Sequence, residues 1–234
     1  AVQTNILGSQ NVINASLEEN VEICVCIGTD KAVAPLNTYG ATKLLMEKLF
    51  VTAGNYLNPI RHKTKFIAVR YGNVLGSSGS VVLKIVEQIK SGKKITITDP
   101  NMTRFNITMN QALDLIERAV TTGKGGEVFI PKLLAYRLGD LKDVLLDLFE
   151  SKNPTEIISV RPGEKFNESL LTIDELRNTY ESKHDYILIE KNDFHKTPPH
   201  DYEKTSLNEQ YSSNKVKLLT KDELKEILQE LPIS

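Results

Sequence analysis

From the start of the chain to Val69, segments with the hydrophobic periodicity of a helix alternate with short apolar runs. Residues 2–17 carry apolar side chains at the spacing of an amphipathic helix, and a second helical pattern runs from about Tyr39 to Ala53. Val21–Ile27 and Phe66–Val69 are short, nearly continuous apolar runs, which are typical of strands buried on both faces of a parallel sheet. Strands that alternate with helices predict an α/β fold.

The rest of the chain mixes shorter patterns of both kinds. The predicted elements are, in chain order, helix Ser80–Ile89, strand Ile95–Thr98, helix Thr108–Val120, strand Glu127–Ile130, helix Leu138–Phe149, strand Glu156–Val160 and strand Tyr186–Ile189. Leu113, Ile116 and Val120, in the second of these helices, are expected in the core. The polar segment Asp193–Ser213 is predicted to be irregular, and Thr220 with Glu223 predicts a capping box that starts a final helix.

A division of the chain is predicted after the glycine-punctuated loop that ends at Gly76. Residues 77–234 are expected to form mostly a second, smaller mixed lobe, with segments that return to the sheet. In open α/β sheets, ligands bind at the carboxyl ends of the strands. Two polar clusters follow predicted strands at such ends, Thr29-Asp30-Lys31 and Tyr71-Gly72-Asn73, and they are the first candidate sites.

Composition narrows the class of protein. The 234 residues are 40% hydrophobic and 25% charged, with a net charge of −1, which argues against disorder and against a basic nucleic-acid-binding surface. Apolar runs stay below the ~18 residues that a membrane-spanning helix needs. Cys24 and Cys26 cannot form a disulfide framework, and without a Cys/His cluster no metal site is expected. Without a signal-peptide pattern, a cytoplasmic protein is expected.

Tyr39-Gly40-Ala41-Thr42-Lys43 is the strongest local signal for chemistry. Tyr39 and Lys43 lie one helical turn apart on the same face, and a lysine ammonium near a phenol favours the phenolate that an acid/base catalyst needs. The alternative is an ordinary surface Tyr and Lys on an amphipathic helix. The catalytic interpretation is favoured because the pair opens a helix shortly after a strand that ends in Thr29.

At these residues the sequence resembles the extended short-chain dehydrogenase/reductase superfamily. Members use a Ser/Thr–Tyr–Lys constellation, which Thr29, Tyr39 and Lys43 match, and Asn5 matches the superfamily's asparagine on the preceding helix. The resemblance implies a Rossmann-like parallel sheet that binds NADP. Residues 1–76 would then be the C-terminal part of the NADP-binding domain, and residues 77–234 mostly a substrate-binding lobe.

Five motifs in family order narrow the resemblance to the inverting UDP-N-acetylglucosamine 4,6-dehydratases of pseudaminic acid biosynthesis. The motifs are Gly28–Pro35, which resembles STDKAxxP, Arg70–Ser77, Met102–Phe105, Arg161–Lys165 and Tyr211–Asn214. The family forms oligomers through helices that include the YxxxK helix, so a homo-oligomer is expected.

The charged residues in these motifs also have alternative interpretations without a function. Adjacent charges such as Asp30 and Lys31 are more often a solvated loop pair, and a lone arginine is more often a surface charge.

The resemblance assigns candidate site residues. The catalytic candidates are Thr29, Asp30, Lys31, Tyr39 and Lys43. The cofactor-binding candidates are Ile27, Gly28, Tyr39, Lys43, Val74, Leu75, Gly76, Ser77 and Ser78. The substrate-binding candidates are Asn73, Val81, Thr98, Arg104, Arg161 and Glu164, with the two arginines suited to a diphosphate.

The implied reaction is a dehydration of UDP-N-acetylglucosamine. Carbon 4 is oxidised while Tyr39 removes the hydroxyl proton. Water then leaves across carbons 5 and 6 with help from Asp30 and Lys31, and the hydride returns to carbon 6 with inversion at carbon 5. Three alternatives stay open: a retaining UDP-sugar 4,6-dehydratase, a 4-epimerase, and a non-catalytic fragment that binds sugar nucleotides.

Three departures from the family pattern bear on the cofactor. Gly28 replaces the family's serine, and Ser78 stands where an arginine often lies, which leaves NADP or NAD preference open. The GxxGxxG phosphate loop has no counterpart, so on the order of a hundred residues of the nucleotide fold are expected to precede this sequence. The chain is therefore expected to be the C-terminal two-thirds of a longer enzyme and to bind cofactor poorly by itself.

Overall fold

The computed structural model of the chain describes residues 1–54, 63–189 and 202–233. These residues form two compact units. Unit 1 comprises Ala1–Tyr71, Asn110–Lys132 and Ser169–Tyr211. Unit 2 comprises the described residues of 72–109, 133–168 and 212–234. The assignment of cofactor binding and substrate binding to parts of the chain stays a prediction.

Helices occur in both units. The α-helices of the described residues are α1 (Gly8–Glu18), α2 (Thr38–Ala53), α3 (Val81–Lys90), α4 (Met109–Thr122), α5 (Leu138–Leu148) and α6 (Lys221–Gln229). A π-helical turn, Val2–Leu7, precedes α1, and 3-10 turns span Asp30–Ala32 and Glu175–Asn178. The predicted capping box at the start of α6 is confirmed, because the Thr220 side chain accepts from the Glu223 amide and the Glu223 side chain accepts from the Thr220 amide.

The strands are short. In chain order they are β1 (Ile23–Ile27), β2 (Lys65–Val69), β3 (Ile95–Ile97), β4 (Thr103–Phe105), β5 (Glu127–Pro131), β6 (Ala135–Arg137), β7 (Thr155–Ile157), β8 (Ser169–Leu171), β9 (Thr179–Glu181), β10 (Asp185–Ile189), β11 (Glu203–Lys204) and β12 (Tyr211–Ser212).

Unit 1 is built on a mixed sheet with the strand order β1-β2-β5-β10-β9-β11. The pairs β1–β2 and β2–β5 are parallel, whereas β10 runs antiparallel to both β5 and β9. Ile67, Val69, Phe129 and Ile187 from the sheet pack against Leu115 of α4 in its core. The predicted α/β class with a parallel-rich sheet is therefore confirmed.

Unit 2 has a core of its own, formed by helices around short strand pairs. Strand β3 pairs in parallel with β7, and β4 pairs antiparallel with β6. Ile85 of α3, Ile95 of β3, Leu141 of α5 and Leu224 of α6 are fully buried in a single apolar cluster. These elements hold the loops that carry the substrate-binding candidates.

The helix α4 corrects one prediction. Of the three residues expected in the core, Ile116 is partly buried and packs against the core of unit 1, but Leu113 and Val120 are 55% and 38% exposed. The buried residues of α4 include Ala112, Leu115 and Ala119. Apolar residues lie on more than one side of this helix, so periodicity alone selected the wrong face, and the close approach that small alanines allow decides which face packs.

Several strand predictions also differ from the structure. The strand predicted at Glu156–Val160 is β7, which is shorter and exposed at each of its residues. Strands β4, β6, β8 and β9 were not predicted, because three-residue segments carry too little periodicity to be recognised. Of the segment predicted as irregular, residues 193–201 lie outside the described residues, and the remainder contains β11 and β12. Over the described ranges, no helix has the length and apolar character to cross a membrane.

Candidate functional site

The turn after β1 lies against the end of β2. The Gly28 amide donates to the Val69 carbonyl at 2.7 Å, and the Asp30 amide donates to the Tyr71 carbonyl at 3.1 Å. A Cβ atom on Gly28 would lie 2.6 Å from the Val69 oxygen. The replacement of the family's serine by Gly28 therefore accompanies a backbone approach that leaves no space for a side chain.

Asp30 and Lys31 form an ion pair at this turn. The Asp30 carboxylate is buried, with 1% of the residue exposed, and its Oδ1 accepts from Thr29 Oγ1 at 2.8 Å and from Lys31 Nζ at 3.1 Å. The Lys31 side chain stays partly exposed. Adjacent opposite charges usually form a solvated loop pair, but burial of this carboxylate holds the acid and the amine in one geometry. The structure thus brings together Thr29, Asp30 and Lys31.

Helix α2 places Tyr39 and Lys43 beside the same turn. Asn37 caps the helix, because its Oδ1 accepts from the Gly40 amide at 2.9 Å. A Cβ on Gly40 would lie 2.5 Å from the Lys31 carbonyl oxygen, which shows how closely the helix start approaches the turn. The Lys43 ammonium lies 6.0 Å from the centroid of the Tyr39 ring, and Tyr39 is 47% exposed. The Tyr-Lys face is therefore open and adjacent to the Asp30–Lys31 pair.

Asn5 is tied to the Tyr39 helix by side-chain hydrogen bonds. Its Nδ2 donates to Thr42 Oγ1 at 3.0 Å, and that hydroxyl donates to the Tyr39 carbonyl at 2.8 Å. Asn5 is buried, and its own carbonyl accepts from Ser9 Oγ at 2.8 Å. The π-helical turn that contains Asn5 is a type of distortion often found near functional sites.

Sequence reasoning missed a buried charged cluster behind this site. Arg70 was quoted only as the first letter of a motif, yet it is fully buried together with Glu47 of α2. Glu47 falls on the same helical face as Tyr39 and Lys43, a spacing that could have drawn attention to it. The cluster is completed by Glu175, which is distant in sequence and carries no local signal.

The loop of cofactor-binding candidates, Val74–Ser78, belongs to unit 2. The Leu75 amide donates to the Ile107 carbonyl at 2.9 Å, and the Ser77 amide donates to the Val74 carbonyl at 3.1 Å. Gly76 has a φ of 73°, a left-handed conformation that favours glycine. The Leu75 side chain is buried in the core of the unit, so only its backbone is available to a ligand.

Four of the substrate-binding candidates meet around the Glu164 carboxylate in unit 2. Thr98 Oγ1 donates to Glu164 Oε1 at 3.4 Å, and the Arg104 guanidinium lies 3.4 Å from the same oxygen. The Arg161 amide donates to Glu164 Oε2 at 3.3 Å, and Gly163 between them lies in a turn with a φ of 80°. The Arg104 guanidinium is thus placed beside Glu164, whereas Arg161 reaches the cluster through its backbone amide, and a guanidinium group suits the oxygens of a diphosphate.

The other two substrate-binding candidates are placed differently. Val81 is the first residue of α3 and packs against the core of unit 2. Asn73 is exposed in the segment that precedes the loop Val74–Ser78.

Comparison with known proteins identifies the family. The polysaccharide biosynthesis protein family matches residues 1–190, and the chain belongs to this family. A UDP-glucose 4-epimerase of Rickettsia massiliae is 37% identical over 97% of this chain and 67% of its own length. A Methanocaldococcus jannaschii protein, described as an uncharacterized membrane protein, is 40% identical over 99% of this chain and 68% of its own length. The chain thus spans about two thirds of the length of these relatives.

Solved structures support the fold. The X-ray structure of Pen from Bacillus thuringiensis is 36% identical, with a TM-score of 0.90 over the whole of this chain and 70% of that one. A UDP-glucose 4-epimerase of Thermus thermophilus in complex with NAD has a TM-score of 0.58 at 19% identity, over 70% of this chain and 60% of that one. A dTDP-glucose 4,6-dehydratase of Bacillus anthracis in complex with NAD has a TM-score of 0.59 at 16% identity, over 68% of this chain and 57% of that one.

These comparisons confirm the predicted Rossmann-like fold and the coarser part of the predicted function. The chain is related to proteins described as UDP-glucose 4-epimerases, and it shares its fold with a dTDP-glucose 4,6-dehydratase. The specific likeness to UDP-N-acetylglucosamine 4,6-dehydratases, the inversion at carbon 5 and the choice of NADP stay predictions.

Proposed function

We propose that the protein is a nucleotide-sugar 4,6-dehydratase that converts UDP-N-acetylglucosamine to a UDP-4-keto-6-deoxy sugar with inversion at carbon 5. The observation that carries the proposal is the buried Asp30 carboxylate with the Lys31 ammonium 3.1 Å away, beside the Tyr39 helix. Oxidation at carbon 4 needs only the Thr29–Tyr39–Lys43 set. Loss of water needs a further acid and a further base, and Asp30 with Lys31 supplies both.

The residues at the end of β1 fit a nicotinamide dinucleotide. Ile27 is 45% exposed and Tyr39 is 47% exposed, so an apolar surface lies open there for a flat ring. Ile27, Gly28, Tyr39 and Lys43 would hold the nicotinamide end, and the resemblance adds the loop Val74–Ser78. When bound, the cofactor would accept a hydride from carbon 4 and return it at carbon 6. The proposed cofactor is NADP, and relatives of known structure that bind NAD make NAD the competing choice.

Each catalytic side chain has a defined task in the proposed reaction. Tyr39, as the phenolate favoured by Lys43, takes the proton of the 4-hydroxyl group, and Thr29 hydrogen-bonds the substrate nearby. The 4-keto group then acidifies the hydrogen on carbon 5, which Lys31 removes. In the reacting form the proton that the pair shares lies on the Asp30 carboxyl group and Lys31 is the neutral amine, so Asp30 gives this proton to the hydroxyl on carbon 6, which leaves as water. A proton delivered to carbon 5 on the opposite face gives the inverted product.

The substrate-binding candidates of unit 2 support an anionic nucleotide sugar. Arg104 and Arg161 are proposed to bind diphosphate oxygens. Glu164 and Thr98 are proposed to form hydrogen bonds with hydroxyl groups of the nucleotide. Asn73 and Val81 are proposed to contact the sugar nucleotide on the strength of the resemblance. A few placed arginines suffice for this role, which agrees with a net charge of −1 over the chain.

The test is an assay of the longest natural form of the protein with UDP-N-acetylglucosamine and either NADP+ or NAD+. NMR is expected to show a 4-keto-6-deoxy product, with deuterium at carbon 5 and the inverted configuration when the reaction runs in deuterated water. No turnover with either cofactor would exclude the enzyme, and retained configuration would exclude inversion.

Variants separate dehydration from the earlier oxidation. Lys31→Ala is expected to lower dehydration by about 10²–10⁴-fold, with stalling at the 4-keto sugar before water is lost. Lys132→Ala is the matched control, because Lys132 is also a partly exposed lysine in an ion pair, 2.7 Å from Glu181. Undiminished dehydration by Lys31→Ala would remove Lys31 as the base.

A second candidate function is 4-epimerisation of a UDP-sugar. It is favoured by the relatives described as UDP-glucose 4-epimerases, one of which is 37% identical to this chain. An epimerase would give a product of unchanged mass with an inverted carbon 4, and no deuterium would enter at carbon 5. Mass and NMR of the product therefore separate the two functions in one experiment.

A further inference from the structure

A fully satisfied ion cluster lies in the interior of unit 1. The Arg70 guanidinium donates to Glu47 through Nε at 2.9 Å and Nη2 at 2.5 Å, and to Glu175 through Nη2 at 2.8 Å and Nη1 at 3.1 Å. Nη1 also donates to the Leu170 carbonyl at 2.9 Å. These contacts use all five N–H donors that an arginine has. Each carboxylate meets a different edge of the guanidinium plane, so the plane is fixed in orientation.

The charges in the cluster hold one another ionised. Burial alone would lower the pKa of Arg70, but the Glu47 and Glu175 carboxylates outweigh it and raise that pKa. Burial alone would raise the pKa of Glu175, and the Arg70 guanidinium holds it below its usual value instead. Removal of one partner would therefore leave a buried charge without compensation, which is strongly destabilising.

Stability alone does not account for such a cluster. Buried ion pairs can often be replaced by apolar residues of similar volume without loss of stability, because burial of each charge is unfavourable. What the ionic cluster adds is a fixed direction, since bidentate contacts form in only one relative orientation of the two side chains. The question is then which element needs that orientation.

The element that the cluster orients is α2. Tyr39, Lys43 and Glu47 follow one another at intervals of four residues on the same helical face. Arg70 directly follows β2, and its amide donates to the Phe129 carbonyl of β5 at 2.8 Å, so the guanidinium is anchored to the sheet. A rotation or slide of α2 that moved Tyr39 would break the bidentate contact of Glu47.

We propose that Arg70, Glu47 and Glu175 form a positioning cluster. The cluster fixes the rotation of α2 about its axis and its position along that axis relative to the sheet, so that Tyr39 and Lys43 face the turn at Thr29 and Asp30. Its catalytic consequence rests on the function proposed above. Arg70 and Glu47 are fully buried, so their effect on the reaction passes through the elements that they contact, which are α2 and the turn at Gly28, where Glu47 Oε2 lies 3.3 Å from the position of an added Cβ.

Two variants test the cluster by geometry and by charge. Glu47→Gln keeps the shape but replaces one carboxylate oxygen by an amide group that faces the Arg70 donors. Arg70→Lys keeps the charge but loses the planar fork. Both are expected to lower kcat by about 10- to 100-fold, because small misplacements of catalytic groups have effects of this size. KM is expected to stay within about threefold, since substrate binding residues are not moved.

The matched control is Arg118→Gln. Arg118 of α4 also makes a bidentate contact in unit 1, with Asp185 of β10 at 2.6 and 2.7 Å. Its loss is expected to lower thermal stability and to leave kcat of the folded enzyme unchanged. Equal losses of kcat in Arg118→Gln and Glu47→Gln would show that general destabilisation, and not positioning, is at work, and would overturn the proposal.

Hydrogen exchange gives a readout that needs no activity. In Glu47→Gln, the amides of α2 (Thr38–Ala53) are expected to exchange faster than in the parent, whereas those of α4 keep their protection. Unchanged exchange in α2 would overturn the positioning role. Should Glu47→Gln fail to fold, Glu175→Gln replaces it, because Glu175 is partly exposed and its loss is milder. A parent protein without dehydratase activity would refute the proposed function, and the exchange data would still decide the cluster.

Discussion

A methyl group added at Gly40 should push the start of α2 away from the turn at Asp30–Ala32. The new Cβ would lie 2.5 Å from the Lys31 carbonyl oxygen and 2.9 Å from the Pro35 Cβ, where ordinary contact begins at 3.4 Å. Neither neighbour can rotate away, because one is backbone and the other a proline ring. The helix start must therefore move by about 0.9 Å, the difference between 2.5 Å and 3.4 Å.

The free energy of unfolding reflects two opposing effects. Alanine stabilises a helix by about 1 kcal/mol relative to glycine. Overpacking costs about 1–3 kcal/mol, so Gly40→Ala is expected to be less stable than the parent by up to about 2 kcal/mol. The displacement also moves Tyr39 relative to Asp30, and kcat is expected to fall by about 10- to 100-fold.

Gly54→Ala is the control on the same helix. Gly54 has a φ of −64° in the right-handed region, and no atom of the described residues lies within 4 Å of an added Cβ. This variant is expected to gain about 0.4–1 kcal/mol and to keep its activity. Urea unfolding and steady-state kinetics of both variants give the comparison. If Gly40→Ala matched Gly54→Ala in stability and kept the parent kcat, the close approach would not position Tyr39.

Three further predictions concern other parts of the molecule. Ser213→Ala should lower the free energy of unfolding by about 1–3 kcal/mol, as measured by urea unfolding, because the buried Ser213 Oγ contacts Thr103 Oγ1 at 2.6 Å and accepts from the partly buried Glu168 amide at 2.9 Å. Thr220→Ala should cost about 1 kcal/mol by loss of the helix cap, and Thr220→Ser should restore most of it. Burial raises the pKa of the Cys26 thiol from its usual 9.0 to about 12. Thiol reagents should therefore modify Cys26 only as fast as the protein unfolds, and its stabilising contribution, full below pH 9.0, should be lost as the pH rises toward about 12 in a stability titration.

Long, strongly patterned segments were predictable, and short or polar ones were not. The strands β1 and β2 and the helix α2 follow from local pattern, because their apolar residues recur at the period of their own secondary structure. Strands β4 and β9 consist of three residues each and form only because a partner strand lies beside them. Leu113 was assigned to the core because the period was right, but the packed side of α4 depends on what the helix meets.

The candidate site divides in the same way. Tyr39 and Lys43 were recognised from their spacing of one helical turn, which places them on one face, and Thr29 was added by the family resemblance. The burial of Asp30 and the close approach at Gly40 were not visible, because they depend on the packing of backbone against backbone. The Glu164 cluster joins Thr98, Arg104 of β4 and Arg161 from three separate segments of the chain, a meeting that no local pattern predicts.

The sequence by itself determined the α/β class, the order of motifs and the chemistry that those residue types can perform. Only the tertiary structure decided which charges are buried and which partners they find. Glu47 lies 23 positions from Arg70 along the chain and Glu175 lies 105 positions from it, yet both carboxylates bind the same Arg70 guanidinium group. The physical reason is that local pattern reports the period of an element, whereas a buried charge is tolerated only where distant segments supply its hydrogen bonds.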